Sequence, residues 1–130
     1  EAIIAWFKGL ITAMYEHMSV RQLKVMRPEI KALQAYITEH IDENITLEKA
    51  AEISKISKSY LSTLFKNETG VNFTDYVNRS KMTRAKVLIQ QGYRIYEAAQ
   101  MVGMSDISYF SKLFKRYIGV SPSKLSRVIQ

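Results

Sequence analysis

The chain has 130 residues, of which 47 % are hydrophobic and 24 % charged, a composition typical of a folded domain with an apolar core. It has no cysteine, which excludes disulfides and thiolate metal sites, and it has no run of about eighteen apolar residues that would cross a membrane. His17 and His40 are too distant in sequence to indicate a metal pair. We therefore expect no membrane span, no metal and no cofactor, and a cytoplasmic location.

The first 26 residues carry apolar side chains at helical spacing, which predicts an amphipathic helix. Its stripe contains Ile3, Trp6 or Phe7, Leu10, Met14 and Met18. Such a stripe needs a packing partner, and the candidates are an upstream domain, a second copy of the chain, or the domain that follows. Because the chain begins at Glu1 rather than at Met, residues 1–27 are interpreted as a linker helix or the tail of a removed upstream regulatory domain. Homodimerisation through this helix or that domain stays open.

Two helices are predicted in the next thirty residues. Pro28 suits the first turn of a helix, which should end between Asp42 and Asn44. Thr46 can cap a short second helix, because its hydroxyl can accept a hydrogen bond from a free backbone N–H. The helical pattern is then interrupted between Ser54 and Ser57.

The remainder of the chain contains one pattern twice. Residues 50–71 read AAEISKISKSYLSTLFKNETGV, and residues 98–120 read AAQMVGMSDISYFSKLFKRYIGV. In each copy a short helix ends about four residues before a second helix, which is the arrangement of a helix-turn-helix. Ser57 and Ser105 should cap the two second helices, and a glycine follows each helix at its carboxyl end.

A single uninterrupted helix from Asn72 to Gln91 is predicted between the two copies, because apolar residues recur every three to four positions without Gly or Pro. At roughly 1.5 Å per residue, about twenty residues span about 30 Å. Successive major-groove faces on one side of B-DNA lie about 34–36 Å apart. The predicted helix between the two copies is therefore about as long as one turn of DNA. A last short helix should begin at Ser121, Pro122 and Ser123.

The positive charge is concentrated in the half that contains the repeat. Residues 54–130 hold thirteen Lys and Arg against four acidic residues, a net charge of +9, whereas residues 1–53 have a net charge of −2. This placement is expected if the repeat faces a polyanion. A merely soluble basic surface explains the charge equally well when the charge is considered alone.

Helical spacing divides each second helix into an inward and an outward face. The inward residues are Leu61, Leu64, Phe65 and Glu68 in the first copy and Phe110, Leu113, Phe114 and Tyr117 in the second. The outward residues are Ser59, Ser62, Thr63 and Lys66 in the first copy and Ile107 or Ser108, Ser111, Lys112 and Lys115 in the second. Hydroxyl and ammonium groups can reach base edges or phosphates. The alternative is that they are solvated residues on ordinary helix surfaces.

These motifs, together with NFTDYVNRSKMTRAKVLI between them and GVSPSKL after them, resemble the DNA-binding domain of the AraC/XylS family. The resemblance covers about residues 30–126. It implies an all-α fold of about seven helices, in which a long central helix joins two helix-turn-helix units, with the linker helix preceding them. Residues 28–130 would form this domain. The second helices of the two units would enter adjacent major-groove segments on one face of double-stranded promoter DNA.

The resemblance also implies roles for individual residues. The base contacts carried over by position are Ser59, Ser62, Thr63, Ile107, Ser108, Ser111 and Lys112. Ile107 departs from the polar residue often found there and can offer only apolar contact, for example to a thymine methyl group. The phosphate contacts are Lys58, Lys66, Lys115, Ser123 and Lys124. A bacterial transcription regulator that activates by contacting RNA polymerase is the implied function.

Two other classes of function compete with this one. A basic helical module that binds proteins, without sequence-specific DNA binding, would also explain the composition and the helices. An enzyme is disfavoured, because the sequence offers no Ser/His/Asp set, metal cluster or nucleotide-binding loop. The carboxylates of the basic half lie near helix ends, where capping and helix-dipole roles account for them.

Overall fold

The computed structural model describes residues 27–129, and within that range every regular element is an α-helix. The helices are α1 (Pro28–Glu39), α2 (Leu47–Ser54), α3 (Lys58–Thr69), α4 (Phe73–Gln90), α5 (Ile95–Met101), α6 (Ile107–Ile118) and α7 (Pro122–Ile129). The all-α fold with two helix-turn-helix units around a long helix is therefore confirmed. The predicted helix over residues 2–26 lies outside the described residues. No described helix is both long enough and apolar enough to cross a membrane.

Most of the helix starts follow from side-chain caps that are visible in the sequence. The hydroxyl of Thr46 accepts a hydrogen bond from the N–H of Lys49, and the hydroxyl of Ser57 accepts one from Tyr60. Such a cap satisfies one of the backbone donors that a helix leaves free in its first turn. Both predicted caps are confirmed.

The cap predicted for the second unit was wrong by one residue. Asp106, not Ser105, precedes α6, and its carboxylate accepts a hydrogen bond of 3.1 Å from the N–H of Tyr109. The two copies differ in length by one residue at this turn, and the carboxylate is also favoured over a hydroxyl by the positive end of the helix dipole.

Helix α1 ends earlier than its apolar pattern predicted. Its last residue is Glu39, and His40 leaves the helical conformation with φ −115° and ψ 34°. The ring of His40 stacks on Tyr36 with centroids 4.0 Å apart, and its Nδ1 lies 3.0 Å from the Tyr36 carbonyl oxygen. Residues 40–46 then form a connection that begins with a turn, and the carbonyl oxygens of Ile41 and Glu43 in it contact Lys81 of α4.

Two hydrophobic cores lie along α4, one for each unit. The first core contains Ile30, Leu33, Ile37, Ile45, Ala50, Ala51, Leu61, Leu64, Phe65, Phe73 and Val77. The second contains Met82, Ala85, Leu88, Ile89, Ala98, Ala99, Val102, Phe110, Leu113 and Phe114. The amino-terminal half of α4 thus completes the first core and the carboxyl-terminal half completes the second. One rigid helix carries both units.

The alanine pairs explain how closely the short helices approach their partners. Ala50 and Ala51 in α2, and Ala98 and Ala99 in α5, are all buried at equivalent places of the two units. A methyl side chain lets two helix backbones approach without leaving a void. The sequence repeat is therefore also a repeat of packing.

Candidate nucleic-acid interface

The second helix of each unit is anchored by equivalent buried side chains. Leu61 and Phe65 of α3 and Phe110 and Phe114 of α6 are fully buried. The ring of Phe65 meets Phe73 edge-on at 5.3 Å, so α3 is held directly against the start of α4. With one face of each helix fixed in a core, the opposite face is presented to the outside.

The predicted base-contact residues occupy these outer faces. Six of the seven are exposed, and the seventh, Ser111, is half-buried. All seven lie in the first two turns of their helices, within residues 58–64 and 107–113. The hydroxyl of Thr63 donates to the Ser59 carbonyl oxygen at 3.3 Å, which leaves its oxygen free to accept from a base or water. The structure thus brings the predicted set to two equivalent surfaces.

Ile107 is an apolar residue on this polar surface. Its side chain is 40 % exposed at the first position of α6. The equivalent first position of α3 is occupied by a cation, Lys58. The second outer face therefore has an apolar edge that the first one lacks.

The cations around these faces are largely free of intramolecular partners. Among residues 27–129, none of Lys66, Lys112, Lys115 and Lys124 forms an ion pair with an acidic side chain. Lys58 differs, because its Nζ lies 2.5 Å from Oε1 of Glu48 in the neighbouring helix α2. The hydrogen bond from Lys58 holds the pKa of the Glu48 carboxyl below its usual value. Lys58 would have to exchange this carboxylate for a phosphate.

The start of α7 adds a further polar site to the same half of the chain. The hydroxyl of Ser121 accepts a hydrogen bond of 3.1 Å from the N–H of Lys124, while Pro122 is buried. Ser123 and Lys124 are exposed in this first turn. A helix amino terminus that offers backbone N–H groups next to an ammonium favours an anion such as a phosphate.

Sequence reasoning missed a pair of exposed tyrosines. Tyr60 and Tyr109 occupy the third position of α3 and of α6, and are 48 % and 52 % exposed. Arg27 donates to the Tyr60 hydroxyl at 3.2 Å and also lies 3.7 Å from Glu68, which places the entering chain against α3. The repeat alignment, in which the two tyrosines coincide, was the signal that could have identified them.

Sequence reasoning also gave no particular role to Lys81, which is one of the thirteen Lys and Arg counted in the basic half. Lys81 is 5 % exposed and is the only buried charged side chain among the described residues. The signal was present in α4, because Lys81 lies four residues after Val77 and four before Ala85, within the buried stripe.

Comparison with known proteins agrees with this geometry. Residues 50–127 match the family described as "Helix-turn-helix domain". The transcriptional regulatory protein HptR of Staphylococcus aureus is 32 % identical over 117 residues, which are 90 % of this chain and 42 % of that protein. The C-terminal domain of AraT, a response regulator from Geobacillus stearothermophilus, has a TM-score of 0.76 and 33 % identity, covering 81 % of this chain and 88 % of that chain.

A third similarity concerns the fold alone. The DNA-binding domain of AdpA, a global transcriptional factor solved in complex with a target DNA, has a TM-score of 0.74 at 20 % identity, covering 78 % of this chain and 93 % of that chain. The present chain spans about two fifths of the length of the curated relatives that it matches, 39 % and 42 % in two of them.

Proposed function

Because the chain belongs to the AraC/XylS family of DNA-binding transcription regulators, we propose that residues 28–130 bind specific sites in promoter DNA through α3 and α6 together. The observation that carries this proposal is the repetition of one exposed, polar helix face at equivalent positions on a single connecting helix. Such a pair of helices suits adjacent major-groove segments, since an α-helix fits that groove. The complex of AdpA with a target DNA supports it by analogy of fold.

The proposed base readout divides between hydroxyls, one cation and one apolar side chain. Ser59, Ser62 and Thr63 of α3, with Ser108 and Ser111 of α6, would exchange hydrogen bonds with base edges. Lys112 would reach O6 and N7 of a guanine, and Ile107 would contact a thymine methyl group. Short hydroxyls contact bases less directionally than Arg or Gln, so DNA shape and the fixed spacing of the units would supply part of the specificity.

The proposed phosphate contacts position the domain on the duplex. They are Lys58, Lys66, Lys115, Ser123 and Lys124, all exposed in the structure. Such contacts carry no sequence information directly, but they fix register and orientation. Lys58 would release Glu48 to reach a phosphate, which leaves one free carboxylate near the interface. We expect Lys58 to contribute less to affinity than Lys66 or Lys115 for this reason.

The regulatory context extends the proposal beyond the described residues. The names of HptR and AraT favour a transcription regulator in which an upstream response-regulator domain controls this one. Activation by contact with RNA polymerase, a cytoplasmic location, and dimerisation through residues 1–27 or the upstream domain belong to the same proposal. The apolar stripe of the first 26 residues is the sequence feature that supports dimerisation.

Salt dependence tests whether the basic half lies along DNA. If about five to eight phosphates are neutralised, the log of the binding constant should fall with log salt at a slope of about −4.5 to −7, since each phosphate contributes about −0.9. The measurement is a fluorescence anisotropy titration of a labelled duplex at several salt concentrations. Replacing Lys115 by Ala should remove one phosphate contact and make the slope shallower by about 0.9.

A control substitution outside α3 and α6 should leave the slope unchanged. Lys31 is exposed on α1 and is not among the proposed DNA contacts, so Lys31→Ala serves this purpose. A slope shallower than about −2 for the unmodified chain would mean that it does not lie along DNA. The result would then favour the basic protein-interaction module instead.

A further inference from the structure

The buried Lys81 is the most unusual side chain of the described structure. It projects from the middle of α4, where its Nζ donates to the carbonyl oxygens of Ile41 at 2.5 Å, Glu43 at 2.7 Å and Val102 at 2.9 Å. An ammonium has three N–H donors and no acceptor, so three carbonyls satisfy it completely. Among residues 27–129 it forms no ion pair.

These three carbonyls come from different units. Ile41 and Glu43 belong to the connection between α1 and α2 in the first unit, whereas Val102 follows the last residue of α5 in the second. The carboxyl end of a helix such as α5 carries partial negative charge, which favours an ammonium there. A single side chain therefore holds both units to the same point of α4.

The energetics favour a structural reason for keeping this charge buried. Burial lowers the pKa of Lys81 from its usual value, and the carboxylates of Asp42 and Glu43 oppose that shift. Removing an ammonium from water is costly unless hydrogen bonds replace the lost hydration. Leucine or methionine at this position would fill the stripe of α4 at no such cost, but would hold neither unit to the other.

A close backbone contact lies beside the ammonium and joins the same two segments. A Cβ atom built on Gly103 would lie 2.3 Å from the carbonyl oxygen of Asp42, far below a van der Waals contact. The φ angle of Gly103 is also positive, at 77°. Only glycine lets the turn of the second unit approach the connection of the first unit this closely.

Apart from the shared helix α4, few contacts fix the two units relative to one another. The hydrophobic cores are separate, and the extensive helix contacts occur within each unit or between a unit and α4. The Tyr117 hydroxyl donates to Oδ1 of Asp75 at 2.8 Å, which ties α6 to the amino-terminal half of α4, and this contact involves no residue of α1, α2 or α3. The junction around Lys81 and Gly103 is thus where one unit directly meets the other.

We propose that Lys81 is a positioning residue that fixes the orientation of the two helix-turn-helix units, so that only one spacing of the two half-sites is recognised. The part that concerns half-sites rests on the proposed function, whereas the fixed orientation does not. Without the three hydrogen bonds, each unit would remain folded on its own core while the connection of residues 40–46 detached from the turn after α5.

Distances between the units test the orientation without any DNA. The chain has no cysteine, so spin labels can be attached at Glu52→Cys and Gln100→Cys, two exposed positions in the equivalent helices α2 and α5. Double electron-electron resonance on the full 130-residue chain should give one narrow distance distribution. Lys81→Met should broaden or shift it, and Lys81→Arg, which retains cationic donors, should restore most of the narrow component.

The matched control is Lys86→Met, the same substitution on the same helix at a partly exposed position. It should leave the distribution unchanged. Circular dichroism should show full helix content in every variant. If Lys81→Met loses helix content, the same distance measurement is made on Gly103→Ala. This substitution disturbs the same junction from the second unit, and its distance distribution then decides whether the junction fixes the orientation. A narrow, unshifted distribution in the folded Lys81→Met chain, or in Gly103→Ala when that variant decides, would overturn the proposal.

Binding to DNA then measures how the substitution of Lys81 affects recognition. On a selected site, Lys81→Met should weaken binding on the order of tenfold or more, because two loosely coupled units lose effective concentration for each other. Adding or removing one base pair between the half-sites should then lower the affinity of Lys81→Met much less than it lowers the affinity of the unmodified chain. If Lys81→Met and the unmodified chain show the same preference for half-site spacing, Lys81 has no role in recognition. If the unmodified chain prefers no site at all, the proposed function is overturned, but the conclusion from the distance measurement stands.

Discussion

Insertion of one alanine between Arg79 and Ser80 should abolish specific DNA binding while both units stay folded. The insertion rotates everything after it by about 100° and advances it by about 1.5 Å. The first core ends on α4 at Val77 and the second begins at Met82, so this point separates the cores without breaking either. The two outer faces would then no longer lie on one side of the duplex.

The expected loss is large because both units must bind one DNA molecule together. Two linked binding units gain roughly 100- to 10,000-fold over one unit, and this gain vanishes when geometry forbids simultaneous contact. Gel shifts on a selected duplex measure it, with circular dichroism confirming the helices. Ser80→Ala, a point change at the same place, should bind nearly normally. Full affinity in the insertion variant would show that the units do not read DNA as one rigid body.

Replacing Lys112 by Ala should cost about 1–3 kcal/mol on the specific site if its ammonium reads a guanine. It is the only long cationic side chain among the proposed base contacts, and it is exposed without an ion pair among residues 27–129. Selectivity at one base pair should relax as well. The measurement is binding to a set of duplexes in which each position of the site carries each of the four bases in turn.

Lys115→Ala is the matched comparison, three residues further along the same helix. As a phosphate contact it should weaken specific and random duplexes by similar factors. If Lys112→Ala behaves like Lys115→Ala, with no change in base preference, then Lys112 also touches only phosphate and the proposed guanine contact is incorrect.

Local signals in the sequence were sufficient for the architecture. The repeat, the period of α4 and the caps at Thr46 and Ser57 each depend on neighbouring residues, and the structure confirms all of them. The inward faces of α3 and α6 were also predictable, because an apolar stripe has to be buried. The end of α1 was not, because no Gly or Pro follows Glu39 before the next helix begins.

The junction between the units could not be predicted from local patterns. A lysine within an apolar stripe identifies Lys81 as unusual, but its acceptors are backbone carbonyls 21 to 40 residues away. Every residue has a backbone carbonyl, so residue types in the sequence do not identify which carbonyls accept these hydrogen bonds. The exposed pair Tyr60 and Tyr109 was accessible through the repeat, whereas the roles of the outer faces in base readout stay predictions.

Selection of duplexes from a random pool, followed by competition against a scrambled duplex, tests the central claim of sequence-specific binding most directly. The unmodified chain should enrich one motif with two half-sites whose centres lie about 10–10.5 base pairs apart. It should bind that motif at least about 1,000-fold more tightly than the scrambled duplex at physiological salt. Equal, weak binding to both duplexes, with no motif enriched, would contradict the account.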